Sequence, residues 1–214
     1  MSLKAPPGEV RRWIASHLDP LDAANGGAEF RSDYDLGAPP TADQQTAAAT
    51  PAAVLVGLVE RPEGLSVLLT RRSDSLRSHT GQIALPGGRC DPDETPWAAA
   101  LREAWEEIGL EPAQVALAGL STPYRTISGF HITPVVGFVS LPLDLRPNPD
   151  EVADVFETPF GFLMDPANHE EHNLETPQGR RRFYAMTWED RFIWGATAGM
   201  LRALYGRLYG AALS

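Results

Sequence analysis

Thr95 and Pro96 open a stretch of alternating apolar and acidic residues that Gly109 closes, and this bracketed segment constrains the chain more than any other. Threonine accepts hydrogen bonds at a helix N-cap, proline suits the first helical position, and glycine suits the residue just past a helix end. The pattern predicts a helix of about three turns from Pro96 to Ile108. At roughly 100° per residue, Trp97, Leu101, Ala104, Trp105 and Ile108 cluster on one side. Glu103, Glu106 and Glu107 gather within about 100° of one another on the opposite side. The expectation is a helix that packs through its tryptophans and presents three carboxylates.

Like charges at this spacing cost an exposed helix only about 0.2–0.5 kcal/mol per pair, so three acids alone read as a solvated face. The surrounding pattern is more demanding. Gly88, Glu94, Arg102, Glu103, Glu106, Glu107 and Gly109 stand at the spacing G-x5-E-x7-R-E-x-x-E-E-x-G. With each residue type at a frequency of roughly 5–7 per cent, chance would give this about once in a million chains of such length. Hard divalent cations take oxygen ligands, and Mg²⁺ uses a few carboxylates together with water and substrate phosphates. Clustered glutamates beside a cleft provide that chemistry.

These residues resemble the Nudix box, the signature of hydrolases that cut a nucleoside diphosphate linked to another moiety. The resemblance implies that Glu103, Glu106 and Glu107 bind Mg²⁺ or Mn²⁺ and that Arg102 pairs with and orients a carboxylate. It implies that Gly87 and Gly88 let the loop backbone approach the metal, and that Glu94 anchors the loop to the helix. Ala104 stands where a larger aliphatic residue is usual.

Immediately upstream, Leu68 to Asp91 reads LLTRRSDSLRSHTGQIALPGGRCD. This stretch resembles the extra signature of coenzyme A pyrophosphatases, matching it at Leu68, Leu69, Thr70, Arg72, Ser73, Leu76, Arg77, His79, Gly81, Pro86, Gly87, Gly88 and Asp91. Leu85 replaces a phenylalanine. The implied reaction yields 3′,5′-ADP and 4′-phosphopantetheine or its acyl form. Such a substrate is rich in phosphate, and Arg71, Arg72 and Arg77 can offer planar forks to its oxygens. Arg72 and Arg77 occupy signature positions, and His79 is a candidate for the substrate site rather than for the base. Glu151, outside the box, is a candidate further ligand or catalytic base, because in this family a glutamate from elsewhere can fill that role. Trp194 to Ala198, WGATA, resembles a C-terminal segment of the same subfamily, and helix packing is its simpler explanation.

The rest of the chain places these motifs. Its 214 residues, 43% hydrophobic, can bury one good core. No apolar run reaches 18 residues and no secretory pattern opens the chain, so the expectation is a cytoplasmic protein without a membrane span. A net charge of -10 argues against a nucleic-acid binder and leaves small anionic substrates as the expected partners. Cys90, the one cysteine, excludes an intrachain disulfide and is not expected to be catalytic.

A short amphipathic helix is expected over residues 8–18, followed to about Pro51 by an Ala/Gly/Pro-rich arm. Strands are expected at AAVLVGLV from Ala52, at LSVLLT, at QIAL, and over 115–120, 131–140, 151–157 and 182–188. A terminal helix is expected over 195–208. Residues 1–50 thus read as an N-terminal helix and arm, and 51–214 as the catalytic domain. Strands mixed with a few helices imply the α/β class. The resemblance sharpens this to a Nudix-type α/β/α sandwich around a mixed sheet. Two alternatives stand beside the coenzyme A reading: a Nudix hydrolase of ADP-ribose or another nucleoside diphosphate derivative, and a non-catalytic nucleotide-sensing module, which would be expected to lack box carboxylates.

Overall fold

The computed structural model describes residues 7–25, 30–37, 41, 48–73, 81–176 and 179–210. Two long strands organise it. β2 (Thr50–Arg61) and β3 (Gly64–Arg72) are buried on both faces, which explains their unbroken apolar runs. Along β2 the side chains alternate between two cores. Ala53, Leu55 and Val59 face α2 (Pro96–Ile108), while Val54, Val56 and Leu58 face α1 (Pro7–Ala15) and α4 (Ala196–Tyr209). Helices therefore cover both faces of a mixed sheet, as the α/β reading expects.

Among the described residues the sheet has nine strands. β8 (Phe130–Val139) runs parallel to β2, whose other edge pairs antiparallel with β3 and, nearer its start, with β5 (Gly87–Arg89). β3 in turn carries β4 (Ile83–Ala84) and β9 (Val152–Pro159). The far side of β8 pairs with β6 (Val115–Leu120) and β7 (Tyr124–Arg125). The N-terminal arm contributes β1 (Arg31–Ser32), which pairs parallel with β7 and covers that edge of the sheet. Helix α1 also joins the body, burying Val10 and Ile14 in the same core as Leu201, Leu204 and Leu208 of α4.

A separate three-stranded sheet had no counterpart in the expected layout beyond its middle strand. It consists of β10 (Glu170–Thr176), β11 (Gly179–Trp188) and β12 (Arg191–Trp194), all antiparallel. It follows the short helix α3 (Phe160–Leu163) and leads directly into α4. Among the described residues, no helix is long and apolar enough to cross a membrane.

Helix α2 begins and ends where the sequence places it. The Thr95 side chain accepts from Ala98 N, Pro96 is the first residue, and Gly109 closes the helix at φ 68°. Its faces differ from expectation. Trp105 is 52% exposed, whereas Ala99, Ala100, Ala104 and Ile108 are buried together with Glu107. The small alanines let the helix lie close to the sheet, so the buried arc centres on them and not on the bulkier tryptophans. Glu107 falls in the middle of that arc.

Candidate active site

The close approach of α2 to β5 builds the site. Gly87 N donates to Glu107 Oε2 at 3.2 Å, joining the loop to the helix. A Cβ on Gly88 would fall 2.6 Å from Oε2 of Glu103, and one on Gly87 would fall 2.6 Å from Val54 Cα. At Gly87 the neighbouring strand leaves room for glycine alone, whereas at Gly88 a side chain would have to displace the Glu103 carboxylate.

Arg102 organises the acids around it. Its Nε and Nη2 form a fork to Glu94 at 3.0 and 2.9 Å, while Nη1 donates to Glu103 Oε1 at 2.9 Å and Glu106 Oε2 at 3.1 Å. Nη2 also donates to the Arg89 carbonyl at 2.9 Å. Glu94 accepts from Asp91 N as well, which fixes the loop at the start of the helix. The Arg102 fork holds the Glu94 carboxyl below the usual carboxylate range and raises the guanidinium's own pKa.

The electrostatics change deeper in the cleft. Burial pushes the Glu107 carboxyl up to about 7, against the opposing pull of the Gly87 N–H and the Arg72 charge; Glu103 and Glu151 push it further up. Glu103 is raised as well, by burial first and by Glu106 and Glu151 in addition, despite its bond to Arg102. Glu151 lies just before the point where β9 carries an extra residue, Ala153, opposite Arg71 and Arg72, and Ser73 N donates to its carbonyl. The structure thus brings together Arg72, Glu103, Glu107 and Glu151. Nε of Arg72 is buried with no hydrogen-bond partner. Glu106 stands at the rim, its side chain 45% exposed.

Arg71 lies on β3 with its Cα opposite those of Ile83 and Asp154. Leu76, Arg77 and His79 lie outside the described residues. Cys90 is half-buried, and burial pushes its thiol up, away from the thiolate a nucleophile needs. In the WGATA segment, Ala198 is in the core and the Thr197 hydroxyl donates to the Ile83 carbonyl, tying α4 to β4.

Among the described residues no three acidic, histidine or cysteine side chains converge as a ready-made metal cage; Arg102 bonds Glu103 and Glu106, and Gly87 N bonds Glu107. The donors nevertheless fit a hard divalent cation. Glu103 and Glu151 push the Glu107 carboxyl up, Glu106 and Glu151 push Glu103 up, and a bound cation would relieve that repulsion.

Glutamates and an arginine on one helix thus meet a glycine loop. Residues 49–185 match the NUDIX domain. A protein of Pectobacterium atrosepticum described as an uncharacterized Nudix hydrolase, NudL, is 40% identical over 154 residues, which span 72% of this chain and 80% of the relative. The NudL of Yersinia pestis is equally identical over the same length, spanning 77% of that relative. Among solved structures, the Nudix hydrolase RenU of M. smegmatis is 30% identical over 53% of this chain and 72% of its own, with a TM-score of 0.45. The chain belongs to the Nudix family. It is a hydrolase of substrates that contain a pyrophosphate linkage, in a family that generally uses divalent metal cations.

Proposed function

We propose that this protein cleaves the diphosphate of coenzyme A or one of its derivatives, giving 3′,5′-ADP and 4′-phosphopantetheine or its acyl form. The observation that carries the reading is the position of Arg72. A residue of the coenzyme A signature, it acts electrostatically on Glu107 and keeps a buried Nε without a partner, a donor available to a phosphate oxygen.

Glu103, Glu106 and Glu107 would hold Mg²⁺ or Mn²⁺. When bound, the cation supplies positive charge that stabilises the anionic oxygens of the diphosphate and makes water a stronger nucleophile. The chain's own residues do the rest. Gly87 and Gly88 keep the loop close to the carboxylates, Arg102 orients Glu103 and Glu106 from behind, and Arg72 draws the diphosphate into line. Glu151, the acid outside the box, is our candidate to accept a proton from the attacking water or to add a further ligand. Catalysis of this kind is mostly positioning and electrostatics.

The test is incubation with coenzyme A, ADP-ribose and diadenosine polyphosphates, each with Mg²⁺ or Mn²⁺, and identification of the products. Release of 3′,5′-ADP from coenzyme A as the fastest reaction is expected. Faster cleavage of ADP-ribose would move the assignment to that substrate, and no metal-dependent cleavage of any of them would overturn the reading.

A further inference from the structure

A cavity of about 1010 Å³ lies between the N-terminal arm, the β10–β12 sheet and the start of α4, and none of the box carboxylates lines it. Its size suits a drug-sized or nucleotide-sized ligand. The charge of its wall is opposite to that of the chain. In a protein of net charge -10, five arginines line the cavity (Arg31, Arg180, Arg181, Arg182 and Arg202) against the aspartates Asp33 and Asp35.

Three of these cations are matched by acids: Arg31 by Asp35 at 3.8 Å, Arg180 by Glu175 at 3.9 Å, and Arg182 by Glu171. Two are not. Arg181 has no ion pair or hydrogen bond among the described residues and interacts only at longer range with Asp33, whose two oxygens already accept from the Tyr124 hydroxyl and Ile127 N. Arg202 meets the neutral ring of His169 and lies over Tyr184 and Tyr205, but its Nε is buried without a partner. Half-buried Phe183 and Trp194, with ring centroids 5.3 Å apart, add aromatic surface to the same wall. Unmatched guanidinium groups beside aromatic rings are what a phosphorylated nucleoside requires, a fork for the phosphate and a face for the base.

The cavity is also near the cut. Gln82, Ile83 and Ala84 line it, and Ala84 precedes Gly87 by three residues, roughly 10 Å of extended chain. We propose that this cavity receives the adenosine end of coenzyme A, with Arg181 and Arg202 holding the ribose 3′-phosphate, while the diphosphate lies against Glu103 and Glu107. This inference rests on the coenzyme A reading and adds to it the place where the substrate is distinguished from other diphosphates. The arginine run of residues 180–182 and the WGATA segment then acquire a common purpose.

The experiment compares coenzyme A with dephospho-coenzyme A, which lacks only the 3′-phosphate, on wild-type protein and on Arg181→Ala and Arg181→Lys. Arg181 is exposed, so both variants should fold. The expected result is a roughly 10- to 100-fold rise in KM for coenzyme A in Arg181→Ala, partly restored by lysine, with kcat and both constants for dephospho-coenzyme A within about twofold. Equal KM changes for the two substrates, or none, would overturn the inference while leaving the coenzyme A reading intact. Failure of the wild type to cleave either substrate would remove that reading instead. Calorimetry with 3′,5′-ADP and 5′-AMP then reads the cavity by itself: tighter binding of 3′,5′-ADP that Arg181→Ala abolishes supports it, and equal binding overturns it.

Discussion

Gly87 and Gly88 are neighbours on one short strand, yet replacing each by alanine should damage the protein in a different way. At Gly87 the new Cβ would meet the backbone of β2, 2.6 Å from Val54 Cα and closer still to the Ala53 carbonyl oxygen. Neither atom can yield, because Ala53 and Val54 are paired with β5 on one side and with Thr133 and Pro134 of β8 on the other. Overpacking of this kind costs about 3 kcal/mol, the upper end of the usual range. In a chain of this size that corresponds to a fall in Tm of roughly 6–12 °C.

At Gly88 the obstacle is the Glu103 carboxylate, the far end of a flexible side chain. It can rotate away for about 0.5–1.5 kcal/mol, so Tm should fall by only a few degrees. Moving that carboxylate off Arg102 and out of the cleft should lower kcat/KM on the order of 100-fold, the usual effect of misplacing a reacting geometry by an ångström. Thermal melts in a chelator and steady-state assays in Mg²⁺ measure the two effects separately. Similar Tm losses in both variants, or full activity in Gly88→Ala, would refute the argument.

Glu107→Gln should reduce kcat by 100-fold or more, several kcal/mol of lost charge stabilisation, and should also change how stability responds to pH. The wild-type carboxyl is raised to about 7 from 4.5, so its contribution is fully present below about pH 4.5 and is lost as pH rises through about 7. In a chelator the glutamine variant should therefore gain on the order of 3 kcal/mol on wild type between those limits, and denaturant melts showing a constant difference would contradict this. Arg102→Lys keeps a charge but loses the fork to Glu94, so the counter-ion on Glu103 and Glu106 is no longer tethered and the Mg²⁺ concentration for half-maximal activity should fall; a rise on metal titration would contradict this. Tyr124→Phe removes the donor that holds Asp33 at 3.0 Å, at a cost of about 1–3 kcal/mol, and should speed proteolysis of the arm around β1.

The elements that could be read from the sequence are those whose burial follows a simple rule. β2 and β3 are apolar throughout because both faces are covered, and α2 carries a cap at each end. β10 was hidden because its residues are largely polar and face water, so EEHNLET shows no run or alternation of apolar side chains, and β12, RFIW, is too short to carry a pattern. β1 and β7 are two residues each, too short for any pattern. The box residues stood out by their spacing, and Arg102 pairs with a carboxylate, that of Glu94, as the resemblance to the Nudix box implies. The depth of Glu107 was not, because it depends on how closely Ala99, Ala100 and Ala104 let the helix approach the sheet. The contact of Asp33 with Tyr124, 91 positions apart, leaves no local trace at all.

Arg102 holds Glu94 with one edge of its guanidinium and Glu103 and Glu106 with the other. A metal arriving at the two box glutamates would thus find them already partnered, and binding would be a swap of one counter-ion for another. The Glu94 fork would keep the arginine tethered while it let go, ready to return when the metal leaves. Affinity would then reflect the difference between two attractions, which favours ready exchange with the surrounding pool of ions over permanent capture.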